Sequence, residues 1–191
     1  MNPHEVLDFW FGAPGSPLHG TARPEWFRKD PAFDALIRGR FGATLEQALA
    51  GGLDGWCTDA AGTLALILVL DQFTRNSFRD TPRAFAGDAR ALALARRLAD
   101  GGAHLTLARH PRAFAYLPFE HAEDLAAQQR SVALYEALAA EFPDAAEELD
   151  YAIRHRDIVA RFGRFPHRNA ILGRESTPEE AQFLTQPGSR F

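Results

Sequence analysis

One cysteine, one lysine and one methionine are all that the 191 residues contain of those three types. Cys57 alone excludes an intramolecular disulfide and suits a reducing cytoplasm, where we expect the protein to reside. Lys29 alone leaves nearly all positive charge to arginine, which is never neutral and presents a rigid fork of donors, so each buried copy demands a fixed acceptor. The most apolar stretch, Leu64 to Leu70, stops at Asp71, far short of the ~20 residues that a membrane span requires. The N-terminus lacks a basic region followed by an apolar run and a small-residue cleavage site, so it does not read as a signal peptide. A formal charge of -4 argues against sequence-blind binding to nucleic acid, which needs a basic surface. No segment alternates apolar and polar residues long enough for a sheet. A nucleophile elbow and a phosphate-binding glycine loop are both missing.

Helical punctuation is what the chain does have. Asn2-Pro3-His4-Glu5 reads as a capping box with proline at the first helical position, leading into Val6, Leu7, Trp10 and Phe11. Asp30-Pro31 starts a second helix, with Phe33, Leu36, Ile37, Phe41, Leu45, Ala48 and Leu49 at three-and-four spacing until Gly51-Gly52. Thr58 is expected to cap a third helix reaching about Thr74, and Thr81-Pro82 to open a fourth that closes at Gly101-Gly102. Pro111 opens a fifth, which Pro118 should break or kink, so that Phe119 to Glu141 forms a long sixth. A seventh follows Pro143 and ends at Phe162 with Gly163 as a left-handed cap. Thr177-Pro178-Glu179-Glu180 is a second capping box. The expected class is all-α, one compact domain over residues 1–191 built of antiparallel helical hairpins, with 176–191 as a short C-terminal helix and tail. The pentapeptide Pro82 to Ala86 recurs at Pro111 to Ala115; it could echo stacked helical hairpins, but in a chain rich in alanine and arginine it is read as coincidence. Trp10, Phe11, Trp26 and Phe27 are read as closing the core, with self-association into a homodimer as their other use.

Three polar clusters interrupt apolar helix faces. In the third helix, Asp71 and Arg75 share the stripe of Leu64, Ile67 and Leu68 and stand four apart, so they can pair, with Gln72 and Asn76 adding two amides. A buried ion pair that sets helix register is the structural alternative to a site. The second cluster is Glu120, His121, Glu123 and Asp124, where acidic residues in a first turn would complement the helix dipole. The third runs from His155 through Arg161, Arg164, His167, Arg168 and Asn169, cationic where the second is anionic, so the structural alternative is that the two simply neutralise each other across a helix–helix contact. His121 and Asp124 at helical spacing would permit a metal with His155 or His167. The chain lacks the paired Glu-x-x-His motif of di-iron bundles and any compact zinc pattern, so no metal and no cofactor is expected.

The residues also carry a family likeness. Val6-Leu7-Asp8-Phe9-Trp10-Phe11-Gly12, Leu70-Asp71-Gln72-Phe73 with Arg75-Asn76, Thr81 to Ala86, Tyr116 to His121 with Glu123-Asp124, and His155 to Glu175 together resemble the bacterial domain-of-unknown-function family numbered 924. The resemblance covers nearly the whole chain. It departs at Thr74, where proline is expected, and at Ala122, where serine is frequent. It implies a tetratricopeptide-like right-handed helical array and brings no established activity.

The functional expectation is a cavity in which Asp71, Gln72, Arg75 and Asn76 face Glu120, His121, Glu123 and Asp124, with His155, Arg161, Arg164, His167, Arg168 and Asn169 as a third wall. Arginine forks match carboxylate and phosphate geometry, so the expected ligand is a small anionic molecule or a peptide carboxylate, with no nucleic acid and no membrane. The competing expectation is a hydrolase or phosphoryl-type enzyme using Glu and His as acid and base with arginine stabilising developing charge, metal-assisted in one variant.

Overall fold

The computed structural model describes residues 1–190, and among them there is no β-strand. The fold is all-helical. It divides into two compact units, the first comprising residues 1–79 and 83–118, the second residues 80–82 and the chain from Phe119 onward.

The N-terminal unit begins with α1 (Pro3–Phe11), where the Asn2 side chain accepts from the Glu5 N–H and Pro3 occupies the first helical position. Its last carbonyls find their donors at a distance. Arg23 Nη1 donates to Phe9 O at 2.7 Å and Trp26 Nε1 to Trp10 O at 3.0 Å. The chain turns at Gly12, whose φ of 84° and close approach to the Leu18 backbone exclude a side chain. α2 (Pro31–Leu49) is capped by Asp30 and buries Phe33, Ile37, Phe41, Leu45 and Ala48. Phe41 joins Phe9, Trp10, Phe11, Trp26, Phe73 and Phe114 in a cluster of stacked, tilted and edge-to-face rings, its centroids 4.8 to 6.3 Å apart. Each fully buried aromatic contributes roughly 1.5–3 kcal/mol. Trp10, Phe11 and Trp26 are thus core residues, whereas Phe27 is 72% exposed.

α3 (Ala60–Leu68) is buried on all sides from Gly62 onward and is capped by Asp59 rather than Thr58. It does not end at Leu68. A π-helical turn, Val69–Phe73, carries it into α4 (Thr74–Ser77). Widened turns of this kind are rare and occur mostly at functional or constrained places. The Thr74 hydroxyl donates to Leu70 O at 2.8 Å and Arg75 Nη1 to Asp71 O at 2.8 Å, so side chains serve carbonyls in and beside the bulge. The expected fourth helix starts later than proposed. Pro82–Phe85 is a single 3-10 turn, and α5 (Asp88–Asp100) begins after Gly87, which abuts the π turn.

Pro118 does not break the fifth helix. α6 (Arg109–Glu120) runs through it and ends two residues later, with the boundary between the units falling at Pro118. The end is fixed by Gln128, whose Nε2 donates to Glu120 O at 2.6 Å and Ala122 O at 2.8 Å. α7 (Leu125–Glu141) starts at its own cap, Asp124, which accepts from the Ala126 N–H. Glu120 therefore closes one helix and Glu123 lies in the connecting turn, which removes the helix-dipole explanation for both.

In the C-terminal unit α7 and α8 (Ala146–Phe162) pack as a hairpin through a 3-10 turn at Pro143–Ala145. Gly163 ends α8 with φ 70°, the left-handed cap that the sequence implies. A 3-10 turn at Pro166–Arg168 follows, and then α9 (Pro178–Phe183) with its complete capping box between Thr177 and Glu180. Ile158, Val159 and Phe165 form the local core, with Phe162 and Phe183 packed on it. No helix among the described residues is long and apolar enough to cross a membrane.

Candidate functional site

Asp71, Gln72, Arg75 and Asn76 belong to the N-terminal unit, and the other ten candidate residues to the C-terminal one. In the first set the expected pair exists, with Arg75 Nη1 3.0 Å from Asp71 Oδ1. Arg75 is also gripped on two prongs by Asp88, at 2.9 and 3.1 Å. Burial works against its charge, but the two carboxylates outweigh that and hold the guanidinium above its ordinary range. Gln72 Nε2 donates to Asp71 Oδ2 at 2.6 Å. Asn76 turns to Asp34, donating at 2.7 Å, and Arg79 forks onto the same carboxylate at 2.8 Å on both prongs. Burial would raise the Asp34 carboxyl, yet these donors keep it lowered and charged. These two networks are internally satisfied and bind α2, α4 and the start of α5 together.

Three residues that complete them, Asp34, Asp88 and Arg79, are absent from the sequence-derived set. Asp34 lies 42 and 45 residues from its partners, and no local spacing announces such a pairing.

The C-terminal unit holds the richer assembly. His155 is buried, and its Nδ1 lies 2.8 Å from Tyr151 O and 3.2 Å from Glu120 Oε1, with Glu120 itself 4% exposed. Both neighbours are acceptors, so the proton sits on Nδ1 and Nε2 carries the lone pair. Burial, reinforced by His121, Arg168 and His167, pushes the imidazole down to about 3. Its ring meets Phe165 edge-on at 5.5 Å and His121 at 6.3 Å. On Phe165 rest His167, at 5.6 Å, and the Arg168 guanidinium, at 4.5 Å. Burial and then Arg168 push His167 down to about 4. Two imidazoles are thus kept neutral around a buried arginine.

Glu123 organises the turn. It accepts from the Phe165 N–H at 2.8 Å and takes Arg174 on two prongs at 2.6 and 2.8 Å, which overcome its partial burial and lower its carboxyl. Glu123→Gln keeps an oxygen for Phe165 but removes the charge that Arg174 pairs with. A loss of about 2 kcal/mol is expected, measured as a lower urea midpoint at unchanged slope. Asp124 serves α7 as its cap and is exposed.

The remaining arginines meet carboxylates of α9. Arg164 holds Glu180 through Nε at 2.6 Å and Nη2 at 2.8 Å. Asn169 Nδ2 donates to the same carboxylate at 3.3 Å. Arg161 Nε donates to Glu179 at 2.9 Å. The Arg164 fork is the chief reason that Glu180 is pushed down to about 2. Arg174, Glu179 and Glu180 are missing from the sequence-derived set. For Glu180 the capping box accounts for the bond from the Thr177 N–H, but no local pattern points to Arg164, 16 residues earlier.

Two concavities lie elsewhere, at the start of α3. One of ≈ 180 Å³ is lined by Cys57, Thr58, Asp59, Thr63 and Arg97, and one of ≈ 300 Å³ by His4, Trp56, Asp59 and Gly62 among others. Cys57 is half-buried, and burial pushes its thiol up, so it stays protonated. Among the described residues no group of three or more His, Cys, Asp or Glu is placed to hold a metal ion.

No curated protein matches the chain. A solved structure of a protein of unknown function from Agrobacterium tumefaciens is similar at 44% identity and a TM-score of 0.83, covering 95% of this chain and 96% of that one. The model of the family described as bacterial protein of unknown function (DUF924) matches residues 6–188, nearly the full length over which the helices and polar networks above are distributed, and the chain belongs to that family.

Proposed function

We propose that the protein is a binding module for a carboxylate- or phosphate-bearing ligand, a small anionic molecule or a peptide, recognised by the arginine- and histidine-rich segment of the C-terminal unit. One observation carries this reading: Arg164 and Asn169 already hold a carboxylate, that of Glu180, with both guanidinium prongs engaged. A paired fork of this kind gives geometric selectivity as well as affinity. The buried Arg168 extends the electropositive surroundings, which is the polarity an anion requires, and the half-buried, neutral His167 beside it offers a further hydrogen-bonding group. A net charge of -4 suits a small acidic ligand better than nucleic acid, and the single cysteine suits the cytoplasm. A tetratricopeptide-like arrangement of the hairpins would present such a segment on a concave face.

Thermal shift against phosphates, nucleotides, amino acids and dicarboxylates tests the reading. At a concentration a hundredfold above Kd, a bound ligand stabilises by about 2.7 kcal/mol, so at least one class should raise Tm by several degrees. Arg164→Ala should remove that rise. A flat response from both proteins overturns the proposal.

A second reading rests on the buried Glu120–His155 pair, whose fixed tautomer is the arrangement a general base uses in a hydrolytic or phosphoryl-type reaction. An imidazole held at about 3 is a weak base near neutral pH, which places this reading second. Activity on generic phosphatase, esterase or peptidase substrates that disappears in His155→Ala, His121→Ala and His167→Ala would raise it to first.

A further inference from the structure

The geometry points to a more specific ligand: we propose that residues Arg161 to Asn169 form a receptor for a short helical peptide bearing two adjacent acidic residues and an aromatic one turn later, and that α9 is a built-in copy of that ligand. The proposal rests on the carboxylate-binding reading above and names the class of partner that reading leaves open.

Three side chains of α9 make the contact, and Phe183, three residues on from Glu180 and four from Glu179, neighbours both on the helix surface. Glu179 reaches Arg161 at 2.9 Å, Glu180 reaches Arg164 at 2.6 Å, and the Phe183 ring lies 5.0 Å from that of Phe162. The Arg161 guanidinium lies over both rings, 4.7 Å from Phe162 and 5.8 Å from Phe183. Cation, ring and fork thus read an acidic–acidic–x–x–aromatic pattern, with electrostatic and aromatic recognition in one patch.

What α9 does not do is equally informative. From Gly173 to Arg190 only Glu180 and Ser189 are buried, so apart from the partly buried Phe183, packed against the local core, the segment supplies little to the interior of the unit. A helix of six residues has little stability of its own, and this one stays helical because its capping box and its docking hold it. The receptor side is organised without it. Arg174 Nε donates to Asn169 Oδ1 at 3.0 Å and forks onto Glu123, which fixes the Phe165 backbone. Lifting α9 away therefore leaves a standing groove in which Arg161 and Arg164 have lost their carboxylates. A partner's segment of the same pattern can take its place, against a tethered competitor whose effective concentration is on the order of millimolar.

The test uses the full chain and a fluorescein-labelled peptide of sequence Ser176 to Arg190. In the triple variant Glu179→Ala, Glu180→Ala, Phe183→Ala, α9 cannot dock, and the peptide should bind at least tenfold tighter than to the wild type by anisotropy. Arg164→Ala added to that background should weaken binding at least tenfold. Equal binding to wild type and triple variant, with circular dichroism unchanged, overturns the proposal. Citrate in place of the peptide separates the two readings: if citrate binds the triple variant through Arg164 and the peptide does not, carboxylate binding stands and the peptide receptor falls. If neither binds, both fall. Should the triple variant not fold, hydrogen exchange on the wild type decides. Amides of residues 181–184 should exchange at least tenfold faster than those of 155–159, and equal protection would make α9 an integral element. Light scattering that finds a dimer lost in Glu180→Ala would assign the groove to α9 of a second copy and overturn a separate partner.

Discussion

Replacing Gly87 by alanine is expected to destabilise the N-terminal unit by roughly 3 kcal/mol or more, the upper end of what overpacking costs, and to lower Tm by about 10 °C. A Cβ built at Gly87 would stand 2.1 Å from Leu70 O and 2.8 Å from Leu70 C. Those are backbone atoms of the π turn, and its residues Val69, Leu70 and Phe73 are fully buried, so neither partner has room to retreat. The carbonyl cannot swing aside without giving up the Thr74 hydroxyl that donates to it at 2.8 Å. Against a total stability of about 5–15 kcal/mol such a loss is large. Gly39→Ala is the control. It lies exposed in α2 with nothing within 4 Å of its would-be Cβ, so alanine should raise stability by about 0.5–1 kcal/mol through helix propensity alone. A Gly87→Ala protein that melts within 2 °C of the wild type would show that the π turn yields, and that the Asp71–Arg75–Asp88 network next to it is not held in place by this contact.

What the sequence discloses about this molecule is mostly what is local. The Asn2 cap, the three-and-four spacing of α2, the glycine at the end of α8 and the Thr177 box are all decided within one or two turns of chain, and each is where the pattern puts it. Asp71 with Arg75 is the same kind of inference, a pair four apart on one stripe. The errors sit where tertiary contacts decide. Pro118 remains inside α6, and the helix end is set instead by Gln128, eight residues beyond Glu120, whose amide serves the carbonyls left over there. The π turn has no periodic signature either. Its one hint is the resemblance, which expects proline at 74, a residue that fits a helix interior badly, and here the Thr74 hydroxyl serves the Leu70 carbonyl. The candidate residues form networks, but with partners the sequence does not name. The sequence leads one to expect an anion at Arg164, and its partner in the fold is the Glu180 carboxylate, 16 residues on. Glu123 is a near neighbour of Glu120 in sequence, yet it pairs with Arg174, 51 residues away. Charged residues on an apolar face announce that acceptors exist; only folding chooses among them.

Acid should destabilise the C-terminal unit well above the pH at which its carboxylates protonate. His155 is held at about 3 and His167 at about 4, both against an ordinary value of 6.5. The unfolded chain therefore takes up protons on these rings as pH falls through 6.5, while the folded chain does not, and stability must decline across that window. Each ring contributes a slope of up to about 1.4 kcal/mol per pH unit, and the two together a loss of about 4 kcal/mol between pH 7 and pH 5. Glu180, Glu123 and Asp34 act in the same direction but later, since their lowered carboxyls cost stability only as pH drops below about 4.5. The interval from 6.5 to 4.5 thus isolates the histidines. Groups facing them account for the size of the effect: the Tyr151 carbonyl and Glu120 favour a proton on His155, while burial, His121 and Arg168 oppose a second charge and prevail. Unfolding at pH 5.5 should bind close to two protons, measurable as the buffer-dependent enthalpy in calorimetry, and the double variant His155→Gln, His167→Asn should bind almost none. An anion held beside Arg168 would stabilise the protonated rings, so ligand affinity should rise as pH falls through the same interval, the reverse of the stability trend. A wild-type urea midpoint unchanged between pH 7 and pH 5 would mean that both imidazoles titrate normally, and the buried, electropositive environment on which the anion-binding reading draws would then be gone.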